Sequence, residues 1–111
     1  MKINEILKEE ANVLYQLTKQ VYDKYASDPV DACWHATQDL AKLLLQHDVH
    51  GQIIKGDYNT EWGAQQHHWV IVDDSIVLDP TVQQFDGDKI MFSVDDPEFE
   101  KYGEWEDVTE F

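Results

Sequence analysis

From Gln66 to Phe85 the chain reads Gln-His-His-Trp-Val-Ile-Val-Asp-Asp-Ser-Ile-Val-Leu-Asp-Pro-Thr-Val-Gln-Gln-Phe, a stretch that leaves little choice of structure. Two short runs rich in Val and Ile, 67–72 and 76–78, flank the polar break Asp73-Asp74-Ser75. Each is too short for a helix, so the pattern predicts a β-hairpin. Pro80 has no amide hydrogen to give a ladder and should end the second strand. The hairpin brings His67 and His68 towards Asp79. A carboxylate beside an imidazole orients a general base and stabilises its charged form. Which histidine meets the carboxylate depends on turn length, because neighbouring strand residues point to opposite faces. A turn of Asp73-Asp74-Ser75 sets Trp69 opposite Asp79 and puts His67 on the same face. A turn of Asp73-Asp74 alone sets His68 opposite Asp79, and the residues themselves leave both open.

A base needs a nucleophile, and the chain has one cysteine, Cys33. Apolar positions at Ile3, Ile6, Leu7, Val13, Leu14, Leu17, Val21 and Tyr25 predict an amphipathic packing helix over residues 1–26. Ser27-Asp28-Pro29 breaks it and starts a second helix, with Asp28 as its cap and Pro29 in its first turn. Val30, Trp34, Thr37, Ala41, Leu44 and Leu45 give that helix its buried stripe, and Gly51 suits the left-handed turn after it. Cys33 then lies within its first turns, where unpaired amides and the helix dipole favour thiolate over thiol.

Gln52 to Tyr58 predicts a strand bulged at Gly56. Asn59 to Gln65 reads as a loop, in which Trp62 either walls a substrate cleft or covers the core. Lys89 to Val94 predicts a further strand. Residues 95–111 carry eight acids against Lys101, with Phe99, Tyr102 and Trp105 three apart. The aromatics of that acidic C-terminal segment should dock on the domain while its acids face water. The fold class is therefore α+β: an N-terminal helix and a central cysteine-bearing helix packed on a small antiparallel sheet.

Cys33 near a helix start, His67-His68-Trp69, and the run Asp79-Pro80-Thr81-Val82-Gln83-Gln84-Phe85 together resemble the papain-like and transglutaminase-like cysteine enzymes. The closest likeness is to small bacterial and phage papain-fold proteins. It covers roughly Val30 to Phe85, and it implies a single papain-like domain with residues 29–85 as its catalytic core. The family's histidine usually stands two residues before the tryptophan, which here is His67. The resemblance thus implies a cysteine-dependent acyl-transfer enzyme with Cys33 as nucleophile, His67 as base and Asp79 as orienter, and His68 as the alternative base. Its substrate would be an amide in a protein or peptide, as for a peptidase, glutamine deamidase or transamidase. The glutamine that papain places before its cysteine has no counterpart, since Asp28 and Pro29 occupy that region. Oxyanion or cleft roles then fall to the backbone N–H of Cys33 and to Gln66, Trp62 and Trp34. Two other readings are an inactive papain-like binding module and an acidic nucleic-acid mimic that inhibits another protein.

The net charge of −15 repels phosphate backbones, which argues against nucleic-acid binding and favours basic partners. A lone cysteine and the lack of a bilayer-spanning run or signal-type leader imply a cytoplasmic protein, with no membrane partner. A metal site built on His47 and His50 with Cys33, His67, His68 or Asp79 has only one closely spaced ligand pair, and His47 and His50 suit a helix C-terminus without any ligand role. No metal or cofactor is expected, and His35 is assigned to the surface.

Overall fold

The computed structural model describes residues 8–85 and 87–111, with side chains from Glu10 onward except Asp86 and Glu104. Helix α1 spans Lys8–Lys24, and the part of the expected helix before it lies outside the described residues. Leu14, Leu17 and Val21 recur at helical spacing and are all buried.

Helix α2 spans Cys33–Gln46, so it begins later than the sequence suggests. Asp28 does not cap it and Pro29 is not in its first turn; Ala32 is the N-cap, with no side-chain cap bond. The cause is local: Asp31 adopts φ 60°, and the Ala32 N–H turns back to the Pro29 carbonyl at 3.2 Å. A left-handed residue cannot continue a right-handed helix. The buried stripe is accordingly Ala36, Thr37, Leu40, Ala41 and Leu44. Val30, Trp34 and Leu45, expected in that stripe, are exposed. At the other end Asp48, with φ 57°, makes the left-handed turn that was assigned to Gly51. Gly51 instead opens a strand, where a Cβ would stand 2.7 Å from the Ile71 carbonyl oxygen.

Strands β1 (Gly51–Thr60) and β2 (Gly63–Val72) pair antiparallel without a break from Gly51–Val72 to Thr60–Gly63. The expected loop at Asn59–Gln65 is thus a tight hairpin around Glu61 and Trp62. Gly63 at φ 115° closes it, and the Thr60 hydroxyl donates to the Gly63 carbonyl at 2.8 Å. Next come β3 (Ile76–Leu78), β4 (Met91–Ser93) and β5 (Tyr102–Glu110), with short 3-10 helices at Val82–Phe85 and Pro97–Lys101. The sheet order is β4-β3-β2-β1-β5, antiparallel at every pairing. The β1–β5 register shifts between Lys55 and Asp57, which places the expected irregularity at Gly56.

Both sheet faces are buried. Ile53, Val70, Val72, Ile76 and Leu78 pack against the two helices. On the opposite face Ile54, Tyr58, Trp69, Val77, Phe92 and Tyr102 form a second cluster, joined by Val82 from the first 3-10 helix. Among the described residues no helix is long and apolar enough to cross a membrane.

Candidate active site

The β2–β3 pairing begins at Val72–Ile76, so Asp73, Asp74 and Ser75 all belong to the turn. Continuing that register puts Trp69 opposite Asp79 and His67 on the Asp79 face. β3 stops at Leu78, however, opposite Val70, so β2 has no ladder partner on that side from Trp69 outward. The N-terminus of α2 meets β2 in this outer part, where Cys33, its first residue, reaches His68.

His67 and Asp79 are fully buried, and His67 Nε2 donates to Asp79 Oδ2 at 2.7 Å. The same oxygen accepts the Tyr102 hydroxyl at 2.6 Å, and Oδ1 accepts the Thr81 backbone N–H at 3.2 Å. Three donors thus converge on one buried carboxylate, as a buried charge requires. Trp69 is also fully buried, and its ring lies 6.0 Å from that of His67, so water is kept off the pair.

With Nε2 committed to Asp79, His67 Nδ1 faces Gln84 Nε2 at 3.4 Å. His68 Nδ1 lies 3.2 Å from Cys33 Sγ on the other side, and its ring rests 5.1 Å from that of Trp34. His68 thus bonds the sulfur directly, and His67 acts on it as well. Burial works against a Cys33 thiolate, but hydrogen bonds from His67 and then His68, with their charge, outweigh it and lower the thiol to about 6. Burial likewise opposes a charged His67, yet the Asp79 charge and hydrogen bond, aided by Cys33, raise it to about 9. Between those values the pair is a thiolate and an imidazolium. The Tyr102 hydroxyl, raised by burial and by Asp79, stays protonated as a donor.

Two clefts open near the two histidines. The larger, about 700 Å³, is lined by Asp31, Tyr58, Trp62, Gln66, Gln84 and Phe85 among others. Trp62 is 86% exposed at the hairpin tip, so it walls this cleft and does not cover the core. The smaller, about 420 Å³, is lined by Trp34, Ile53, Lys55, Gln66, His68, Asp107 and Thr109. Gln66 lines both. The first-turn amides of α2 have no intrahelical acceptor and carry the positive end of the helix dipole.

His47 and His50 lie apart from Cys33, bonded through Nδ1 to the carbonyls of Leu43 at 3.0 Å and Phe111 at 3.3 Å. No group of three or more His, Cys, Asp or Glu side chains among the described residues is placed to hold a metal ion. His35 is exposed.

Comparison of the chain with family models, curated proteins and solved structures finds no match. What the site can do follows from its geometry.

Tyr102 and Gln84 were not singled out by sequence as site residues. Gln84 stands in the run after Asp79, and Tyr102 in the three-residue aromatic spacing, but neither pattern shows which side chain turns inward. Tyr102→Phe removes one donor from a charged acceptor and should lower the unfolding free energy by about 2 kcal/mol in denaturant titration. Cys33 should keep its low titration midpoint, because the His67–Asp79 bond survives. A stability change near zero would mean that the hydroxyl contributes nothing to holding the carboxylate.

Proposed function

We propose that the protein is a cysteine-dependent acyl-transfer enzyme acting on an amide in a polypeptide, with Cys33 as nucleophile, His67 as its base and Asp79 as the orienter. One observation carries this reading. A sulfur at a helix start is hydrogen-bonded to the His68 imidazole at 3.2 Å, while the buried His67, locked on the Asp79 carboxylate, helps to hold the thiol low. That arrangement costs stability to bury and has no packing rationale, whereas it meets each need of an activated nucleophile. A cysteine-bearing helix packed beside strands that carry histidine and aspartate is also what the papain-like and transglutaminase-like enzymes share, and this supports placing the fold with them.

The thiolate attacks the carbonyl carbon, and the oxyanion forms near the free amides of α2. The carboxamide of Gln66, which lines both clefts and lies 3.5 Å from Glu106 Oε2, would serve as a further donor. Two clefts that share Gln66, the neighbour of His67, suit a chain that continues past the scissile bond in both directions. The surface charge of −15 favours basic substrates at low salt.

p-Nitrophenyl acetate, a generic acyl donor, tests the reading. The wild type should show a stoichiometric burst and the mass of one acetyl group on Cys33, and Cys33→Ala should show neither. Absence of any acyl-enzyme in the wild type at pH 7 to 8 would leave Cys33 as an ordinary small buried residue.

A further inference from the structure

Cys33 is touched by two imidazoles whose surroundings differ. His67 has no exposed surface, and its nitrogens face Asp79 and Gln84. A proton on it exchanges with those partners and not with a molecule in either cleft. His68 is only partly buried, has Nδ1 3.2 Å from Sγ, and lines the smaller cleft with Trp34. The neighbouring positions of β2 that make the two histidines point to opposite faces thus set one imidazole in the interior and the other in the open.

We propose that the two histidines divide the work: His67 with Asp79 holds the thiolate, and His68 is the catalytic residue that moves protons for the acceptor, which enters by the smaller cleft. The acyl group then lies on the side of the larger cleft. This rests on the reading of Cys33 as an acyl-accepting nucleophile.

The steps balance as follows. In acylation the sulfur–carbon bond forms and the bond to the leaving group breaks. A departing amine takes its proton from protonated His68, while p-nitrophenolate leaves without one. In deacylation a water in the smaller cleft gives one proton to unprotonated His68 as its oxygen bonds to the acyl carbon. The carbon–sulfur bond breaks, the thiolate returns beside the His67 imidazolium, and His68 releases its proton to solvent. An amine acceptor follows the same course, with its N–H in place of the water proton.

Burst kinetics with p-nitrophenyl acetate separate the two roles. His68→Ala should keep the burst, because a thiolate held by His67 remains, while steady-state turnover falls roughly a hundredfold, the usual scale of general-base catalysis. Added imidazole should restore turnover to His68→Ala, since the vacated volume opens on the cleft. Burial denies the same rescue to His67→Ala. Stoichiometric alkylation of Cys33 at pH 9 and an unchanged unfolding midpoint confirm that His68→Ala is folded, and His68→Gln serves as a second variant. Turnover within twofold of wild type in His68→Ala, or imidazole rescue of His67→Ala alone, would overturn the assignment to His68 while leaving Cys33 as nucleophile. A wild type with no burst would remove the nucleophile itself, and this proposal with it.

Discussion

Replacing His67 with glutamine should move the midpoint of Cys33 alkylation by iodoacetamide from about 6 most of the way to the ordinary thiol value of 9.0. Its influence on the sulfur is the largest of those that favour the thiolate, and burial, which opposes it, stays in place. His68→Gln should move the midpoint less. The midpoint is the quantity to read, because a thiolate of higher pKa is also a better nucleophile and partly hides its own scarcity at a single pH. Equal midpoints in wild type and His67→Gln would transfer the activating role to His68.

Stability will not report this pair, and the signs show why. His67 is raised from 6.5 to about 9, so its contribution is complete below 6.5 and is lost as pH rises through about 9. Cys33 is lowered from 9.0 to about 6, so its contribution is complete above 9.0 and is lost as pH falls through about 6. Across the window between them the folded pair holds one proton on the imidazole, and the unfolded pair holds one on the sulfur. The proton counts match and the slope of stability with pH nearly vanishes there.

The largest loss of stability is expected from Asp79→Ala, about 3–5 kcal/mol by denaturant unfolding, because it leaves a buried imidazole without its counter-charge. The Tyr102 hydroxyl and the Thr81 N–H lose their acceptor at the same time. Against a typical total of about 5–15 kcal/mol this is a large share. Asp79→Asn should cost less, since its carbonyl still accepts from Tyr102. It should nevertheless raise the Cys33 midpoint, because a neutral amide no longer stabilises the imidazolium. A loss under about 1 kcal/mol for Asp79→Ala would show that water reaches the site and satisfies the groups left behind.

The hairpin around Asp73-Asp74-Ser75 is legible in sequence because Val and Ile fill both arms and the break between them is wholly polar. Its register is less so, as Asp73 and Asp74 at φ 55° and 56° could belong to either turn length. The start of α2 was misplaced because Asp28-Pro29 is a sound capping pair whose signal the left-handed Asp31 overrides. β5 was hidden by its composition. Acids are depleted in strands, and what makes Tyr102–Glu110 a strand is its pairing with β1, which local propensity does not record. Tyr102 was hidden with it. The tight turn at Glu61-Trp62 was missed for a related reason, since the long ladder behind it and not the turn residues fixes the hairpin.

The placement of Tyr102 on the last strand has a consequence for the order in which a growing chain matures. Synthesis delivers Cys33 first, then His67 and His68, then Asp79, and only after all of these the strand that closes β1 and brings the Tyr102 hydroxyl to the carboxylate. Until β5 has left the ribosome, the β1 edge is open and Asp79 lacks one of its donors. The long sequence separation of that pairing also makes it a late event in folding. A chain paused before Tyr102 therefore holds Asp79 with two of its three donors, and the carboxylate is fully tied down only once β5 has paired.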